Sequence, residues 1–143
     1  MSTYCKVLVN IGLLSLLSVL PLAAQVGNGV EFKAPFPFYV GQAEMPAGSY
    51  TLTQPDNLNF HVIIVRSSDG RLAAATQAMT SESLDAQTRS FVVFEKYGDS
   101  LYLDEVSVEG YSSGVKVVPT KAEKKAEESA SITEQRSITA RGL

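Results

Sequence analysis

The chain has 143 residues, 45% hydrophobic and 19% charged, with a formal net charge of -3, one cysteine, one histidine and no tryptophan. That length fits a single domain. The mild acidity leaves no electrostatic footprint for nucleic acid, a lone cysteine excludes a disulfide framework or a cysteine-based zinc site, and one histidine excludes multi-histidine metal clusters.

The N-terminus comes first in the argument because it sets the compartment. Residues 1–6 carry one positive charge, at Lys6, and residues 7–20 form an uncharged run dominated by Val, Leu and Ile. Pro21 breaks that run, and Leu22-Ala23-Ala24 offers the small or apolar side chains that a signal peptidase reads. The charged, apolar, small-residue order predicts a secretory signal over 1–24, cleaved after Ala24. Its apolar stretch is shorter than the ~20 residues a membrane span requires, so no stable span is expected after cleavage. A single uncleaved anchor is the alternative. No cysteine follows Ala24, which argues against a lipid anchor and leaves the mature chain to be held by burial alone. The expected location is the periplasm or the exterior of a bacterial cell.

Residues 25–118 read as short apolar runs between turn signals, a β-rich domain. The first expected strand covers 31–40, with Phe32, Phe36, Phe38 and Val40 on one parity. Pro35 and Pro37 lack an N–H, which suits an edge or bulged strand. The Pro46-Ala47-Gly48 turn leads to a half-buried strand over 49–54, where Tyr50 and Leu52 alternate with Thr51 and Thr53. Pro55-Asp56-Asn57 is a turn, and residues 59–66, dense in Val and Ile, read as a strand covered on both faces. Asp69-Gly70 is the strongest hairpin mark in the chain, since it supplies the positive φ values of a tight turn. The return strand over 71–79 carries Ala73, Ala74 and Ala75, which leave room for a bulky group opposite.

Residues 80–88 are polar and read as a loop or one helical turn. Strands follow over 89–97, rich in strong β-formers, and over 100–108, joined at Gly98-Asp99. A short seventh strand is expected over 115–118. Thr120 and Glu123 are spaced as a capping box, and residues 121–130 are good helix formers with the exception of Ser129. That charged helix has no wide apolar stripe, and residues 131–143, without periodicity, read as a disordered tail. Six or seven short strands with turns about every ten residues predict an all-β fold, a small antiparallel meander barrel or sandwich. The expected organisation is a signal peptide over 1–24, a β-rich domain over 25–118, and a charged helix with a tail over 119–143.

Several stretches carry a likeness. They are Phe36-Pro37-Phe38-Tyr39-Val40-Gly41, Pro46-Ala47-Gly48-Ser49-Tyr50, Val65-Arg66-Ser67-Ser68-Asp69-Gly70-Arg71, Val93-Phe94-Glu95-Lys96-Tyr97-Gly98-Asp99 with Tyr102-Leu103, and Pro119-Thr120-Lys121-Ala122-Glu123. Over residues 32–123 the chain resembles a family of small exported bacterial proteins of unknown function. The likeness implies export and a small β-rich domain, and it carries no catalytic residue. Members usually have an aromatic, often Trp, late in the sixth strand, where this chain has Val106-Ser107-Val108.

Candidate chemistry is sparse. His61 sits among Phe60, Val62 and Ile63, and as a general base it would need an orienting carboxylate and a nucleophile; Asp104, Glu95 and Ser90 serve only if the fold brings them close. Asp99, Asp104, Glu105 and Glu109 supply oxygens of the kind Ca²⁺ takes, yet their spacing does not match a calcium loop. Adjacent Asp104 and Glu105 would point to opposite faces of a strand. Ser67-Ser68 and Ser112-Ser113 lack a nucleophile-elbow context. Gly27-Asn28-Gly29 precedes a strand and not a helix, so it is no phosphate loop. Lys121, Lys124 and Lys125 are interleaved with Glu123, Glu127 and Glu128, which cancels their field.

The aromatics remain. They build an ordinary core at ~150–250 Å² of burial each, or some of them line a barrel mouth. The expected function is therefore a non-enzymatic binding or structural interaction domain of the bacterial envelope, without metal or cofactor. Its partner would be an unidentified protein or a small apolar ligand, with Phe38, Tyr50, Phe94, Tyr97 and Tyr102 as candidate ligand contacts. The alternative is a carrier of a small apolar or carbohydrate ligand in a β-barrel pocket.

Overall fold

The computed structural model describes residues 29–55, 61–130 and 133–143; the expected signal segment and most of the Pro55-Asp56-Asn57 turn lie outside the described residues. In chain order the elements are β1 (Gly29–Ala34), β2 (Phe38–Val40), β3 (Ala43–Met45), β4 (Gly48–Thr53), β5 (Val62–Ser67), β6 (Ala73–Glu82), β7 (Phe91–Tyr97), β8 (Ser100–Ser107), β9 (Ser113–Val117), α1 (Lys121–Ser129) and β10 (Thr133–Gly142).

Local chemistry explains the hairpins. The Asp69 carboxylate accepts from the Arg71 N–H at 3.0 Å and from the Ser67 hydroxyl at 2.6 Å, while Gly70 takes φ +72°. Gly98, at φ +62°, turns β7 into β8. Inward and outward residues alternate in β4, as expected, with Tyr50 and Leu52 buried, and in β7 with Val92 and Phe94 buried; β5, expected to be covered on both faces, buries only Ile63 and Val65 and leaves Arg66 exposed.

Eight strands close into an antiparallel barrel in the order β1-β4-β5-β6-β9-β8-β7-β10, with β10 returning to β1. Closure decides between the two architectures left open by the sequence. The topology is not a plain meander, because β6 lies beside β9 and the chain crosses from β6 to β7 in a Greek-key arrangement. A second crossing carries α1 from β9 to β10. Thr120 caps that helix, its hydroxyl accepting from the Glu123 N–H at 3.2 Å.

Three expectations are corrected. The strand expected over 31–40 is split, because Pro35 and Pro37 cannot donate to a ladder. Its first part, β1, is bonded on both sides and is no edge. The tail expected to be disordered over 131–143 instead supplies β10, which pairs with β7 from Thr133 to Thr139 and with β1 near its C-terminal end. Ile138 and Ala140 pack against the core. Among the described residues, ten strands stand where six or seven were expected.

One end of the barrel is corked. Because β9 is short, the wall between β8 and β6 is completed at this end by β2, which meets β8 in parallel at Tyr39 and Tyr102. Phe38, fully buried, points inward and meets Tyr50, Phe94 and Phe32 at ring centroid distances of 5.1, 5.1 and 6.0 Å. Such contacts add ~0.5–1.5 kcal/mol per pair to the burial of the rings themselves. Phe36 packs edge-on against Phe94, and the Arg136 guanidinium lies over the Phe36 ring. The Tyr50 hydroxyl donates to the Pro46 carbonyl, which fixes the β3–β4 turn.

Candidate functional site

Among the described residues, the opposite end of the barrel is open. There the starts of β1, β5, β7 and β9 meet the ends of β4, β6, β8 and β10, and a cavity of about 290 Å³ opens among them. Its floor is Val30 of β1, Leu52 of β4 and Val106 of β8, all buried. Its walls are Val108 and Val115, and its rim carries Gln54, Thr80, Tyr111, Ser113 and Leu143. An eight-stranded barrel has an interior just wide enough for its own side chains or one small ligand. Among the described residues, aromatic rings fill the corked half and valines leave the other half unfilled.

Two glycines set the shape of the wall. A Cβ on Gly114 would lie 2.7 Å from the Val106 carbonyl oxygen, and one on Gly29 would lie 2.9 Å from that of Leu52. Both positions therefore need glycine for close approach of neighbouring strands. Outside the wall, residues 83–87 bond to the β8–β9 connection through Ser83 N–H to Ser112 O at 2.7 Å and Gln87 N–H to Tyr111 O at 3.0 Å. These bonds hold Tyr111, 55% exposed, on the rim. A second, polar notch of about 230 Å³ lies on the outer side of the wall, where the Ser81 hydroxyl donates to Glu105 at 2.8 Å.

Among the described residues, no carboxylate, ammonium, guanidinium or imidazole side chain lines the mouth cavity. The buried acidic groups lie elsewhere, under α1. Asp104 is the extra residue of a bulge in β8, since Phe94 pairs with Leu103 and Val93 with Glu105. The bulge puts Asp104 and its neighbour in different surroundings: Asp104 is buried 3.7 Å from the Lys116 ammonium, and Glu105 meets Ser81. Burial, reinforced by Glu95, raises the Asp104 pKa against the pull of Lys116. Glu123 of α1 is buried as well, and desolvation pushes it up to about 7, opposed by the Thr120 backbone N–H and helped by Asp104, Glu95 and Glu127. Among the described residues, no group of three or more His, Cys, Asp or Glu side chains is arranged to hold a metal ion.

The five aromatics singled out from the sequence fall into two groups, and none of them lines the mouth. Phe38, Tyr50 and Phe94 form the cork. Tyr97 and Tyr102 lie together on the outer side of β7 and β8, with ring centroids 5.8 Å apart, and Tyr39 stacks on Tyr102 at 5.1 Å. Burial, with a hydrogen bond to Glu95, raises the Tyr97 pKa. Of the three alanines expected to leave room, Ala74 is buried and Ala73 and Ala75 are exposed. His61 is exposed.

Apart from Tyr111, the mouth residues are aliphatic side chains, glycines and uncharged polar groups, types that carry no chemical signature in sequence. No family model matches the chain, and neither a curated protein nor a solved structure matches it.

Proposed function

We propose that the chain is an exported, non-enzymatic binding domain that holds a small molecule in its barrel mouth. The observation that carries this reading is the asymmetry of the barrel. One end is packed shut by Phe38 and its neighbours, and the other keeps a cavity of about 290 Å³ over an aliphatic floor. Ligand sites are concave, mainly apolar, and fixed by a few polar groups, and the mouth has that composition. Export rests on the charged, apolar, small-residue order of residues 1–24, and the resemblance to small exported bacterial proteins agrees with it. The non-enzymatic part rests on the cavity lining, which among the described residues has no paired titratable groups for acid–base or nucleophilic chemistry.

The test is an amide NMR screen of small-molecule fragments against protein matured by export, with native mass spectrometry of the same sample. Perturbed amides clustered at Val30, Leu52, Val106 and Val115 support the reading. Perturbations confined to the corked end, or none at all, overturn it.

A further inference from the structure

We propose that the mouth selects a neutral, mainly apolar molecule of about ten non-hydrogen atoms, seated apolar end first with one hydroxyl or carbonyl group left at the rim. The inference rests on the binding reading above and adds the chemical class. Size comes from the volume: about 290 Å³, at the ~30 Å³ that a water occupies in the liquid, holds roughly ten such atoms. That excludes an extended acyl chain lying wholly inside.

Charge follows from the lining. No ionised side chain among the described residues faces the cavity, so a carboxylate drawn inside would lose its hydration without gaining a counter-charge. Orientation follows from the gradient along the barrel axis. Val30, Leu52 and Val106 at the floor are 1%, 4% and 3% exposed and offer only methyl groups. Gln54, Thr80 and Tyr111 at the rim carry the hydrogen-bonding groups. A polyol would bury its hydroxyls against the floor unpaired, which disfavours sugars.

The experiment is an amide-detected titration of the mature protein at neutral pH with four probes: phenylethanol, phenylacetate, dodecanoate and glucose. Phenylethanol and phenylacetate differ little in size, so their comparison isolates charge. The expected result is binding of phenylethanol at the mouth, about tenfold or more tighter than phenylacetate, as an unpaired buried charge requires. Val115→Phe, which fills the cavity, should abolish it while amide dispersion is retained. Thr80→Val covers the case in which Val115→Phe fails to fold; it should weaken phenylethanol several-fold and leave ethylbenzene, titrated alongside as a control without a hydroxyl, unchanged. If phenylacetate binds as tightly as phenylethanol, or if dodecanoate or glucose binds at the mouth better than phenylethanol, the neutral compact class is wrong while the mouth remains a binding site. If none of the four shifts a mouth amide, the class falls, and the binding reading then stands or falls on the broader fragment screen.

Discussion

Glu123 makes the pH dependence of this fold unusual. It is the only residue of α1 that is buried, at 4% exposure, and the groups around it are Asp104 of β8, Glu95 and Tyr97 of β7, Tyr102 of β8 and Glu127 of its own helix. Lys116, the cation that meets this cluster, does so through Asp104 at 3.7 Å. Its pKa is raised from 4.5 to about 7, so the folded chain keeps a proton that the unfolded chain releases. The stability Glu123 contributes is therefore whole below pH 4.5 and is lost as pH climbs through 7. At about 1.4 kcal/mol for each tenfold change in acidity, the full loss is roughly 3 kcal/mol. Glu123→Gln keeps an oxygen to accept from the Thr120 N–H and removes the charge. The variant should melt higher than the wild type at pH 8, by up to about 10 °C for a chain of this size, and should flatten the fall in melting temperature between pH 5 and 7. Asp104, raised for the same reason, acts in the same direction and stays in both proteins. Calorimetric melts of the two proteins at matched pH values decide the matter. A variant that melts no higher at pH 8, or that keeps the wild-type slope, would refute the argument that burial of an unpaired carboxyl governs this contact.

Two further predictions concern the barrel itself. Phe38→Ala removes the central ring of the cork and should cost about 3–5 kcal/mol in urea unfolding, whereas a cost under about 1 kcal/mol would mean that β2 is not part of the core. Deleting residues 133–143 strips β1 and β7 of a neighbour and exposes two strand edges. The truncated protein should lose its cooperative melt and aggregate, and a monomer with the full-length melting temperature would contradict the closed barrel.

The sequence by itself determined what depends on near neighbours. Gly70 and Gly98 adopt positive φ at turns read from Asp69-Gly70 and Gly98-Asp99, because the steric freedom of glycine is local. Thr120 caps the helix within three residues of where its spacing with Glu123 places it. Period-two alternation identified β4, the density of Val and Ile identified β5, and a run of strong β-formers identified β7 with β8 as its hairpin partner, each within a few residues, because these signals lie in the strand's own side chains.

Tertiary structure alone decided the rest. Residues 133–142 have two inward apolar side chains, Ile138 and Ala140, too few to reveal a strand; they form one because β1 and β7 each offer a row of unpaired backbone groups that only a further strand satisfies. Aromatic content identified the rings that meet but not their purpose, because a Phe that fills a barrel and a Phe that greets a ligand have the same composition. Which end is packed shut was fixed when β2 entered the gap left by the short β9. The mouth took its character from what was left: valines and glycines around a volume that no side chain of the described chain reaches.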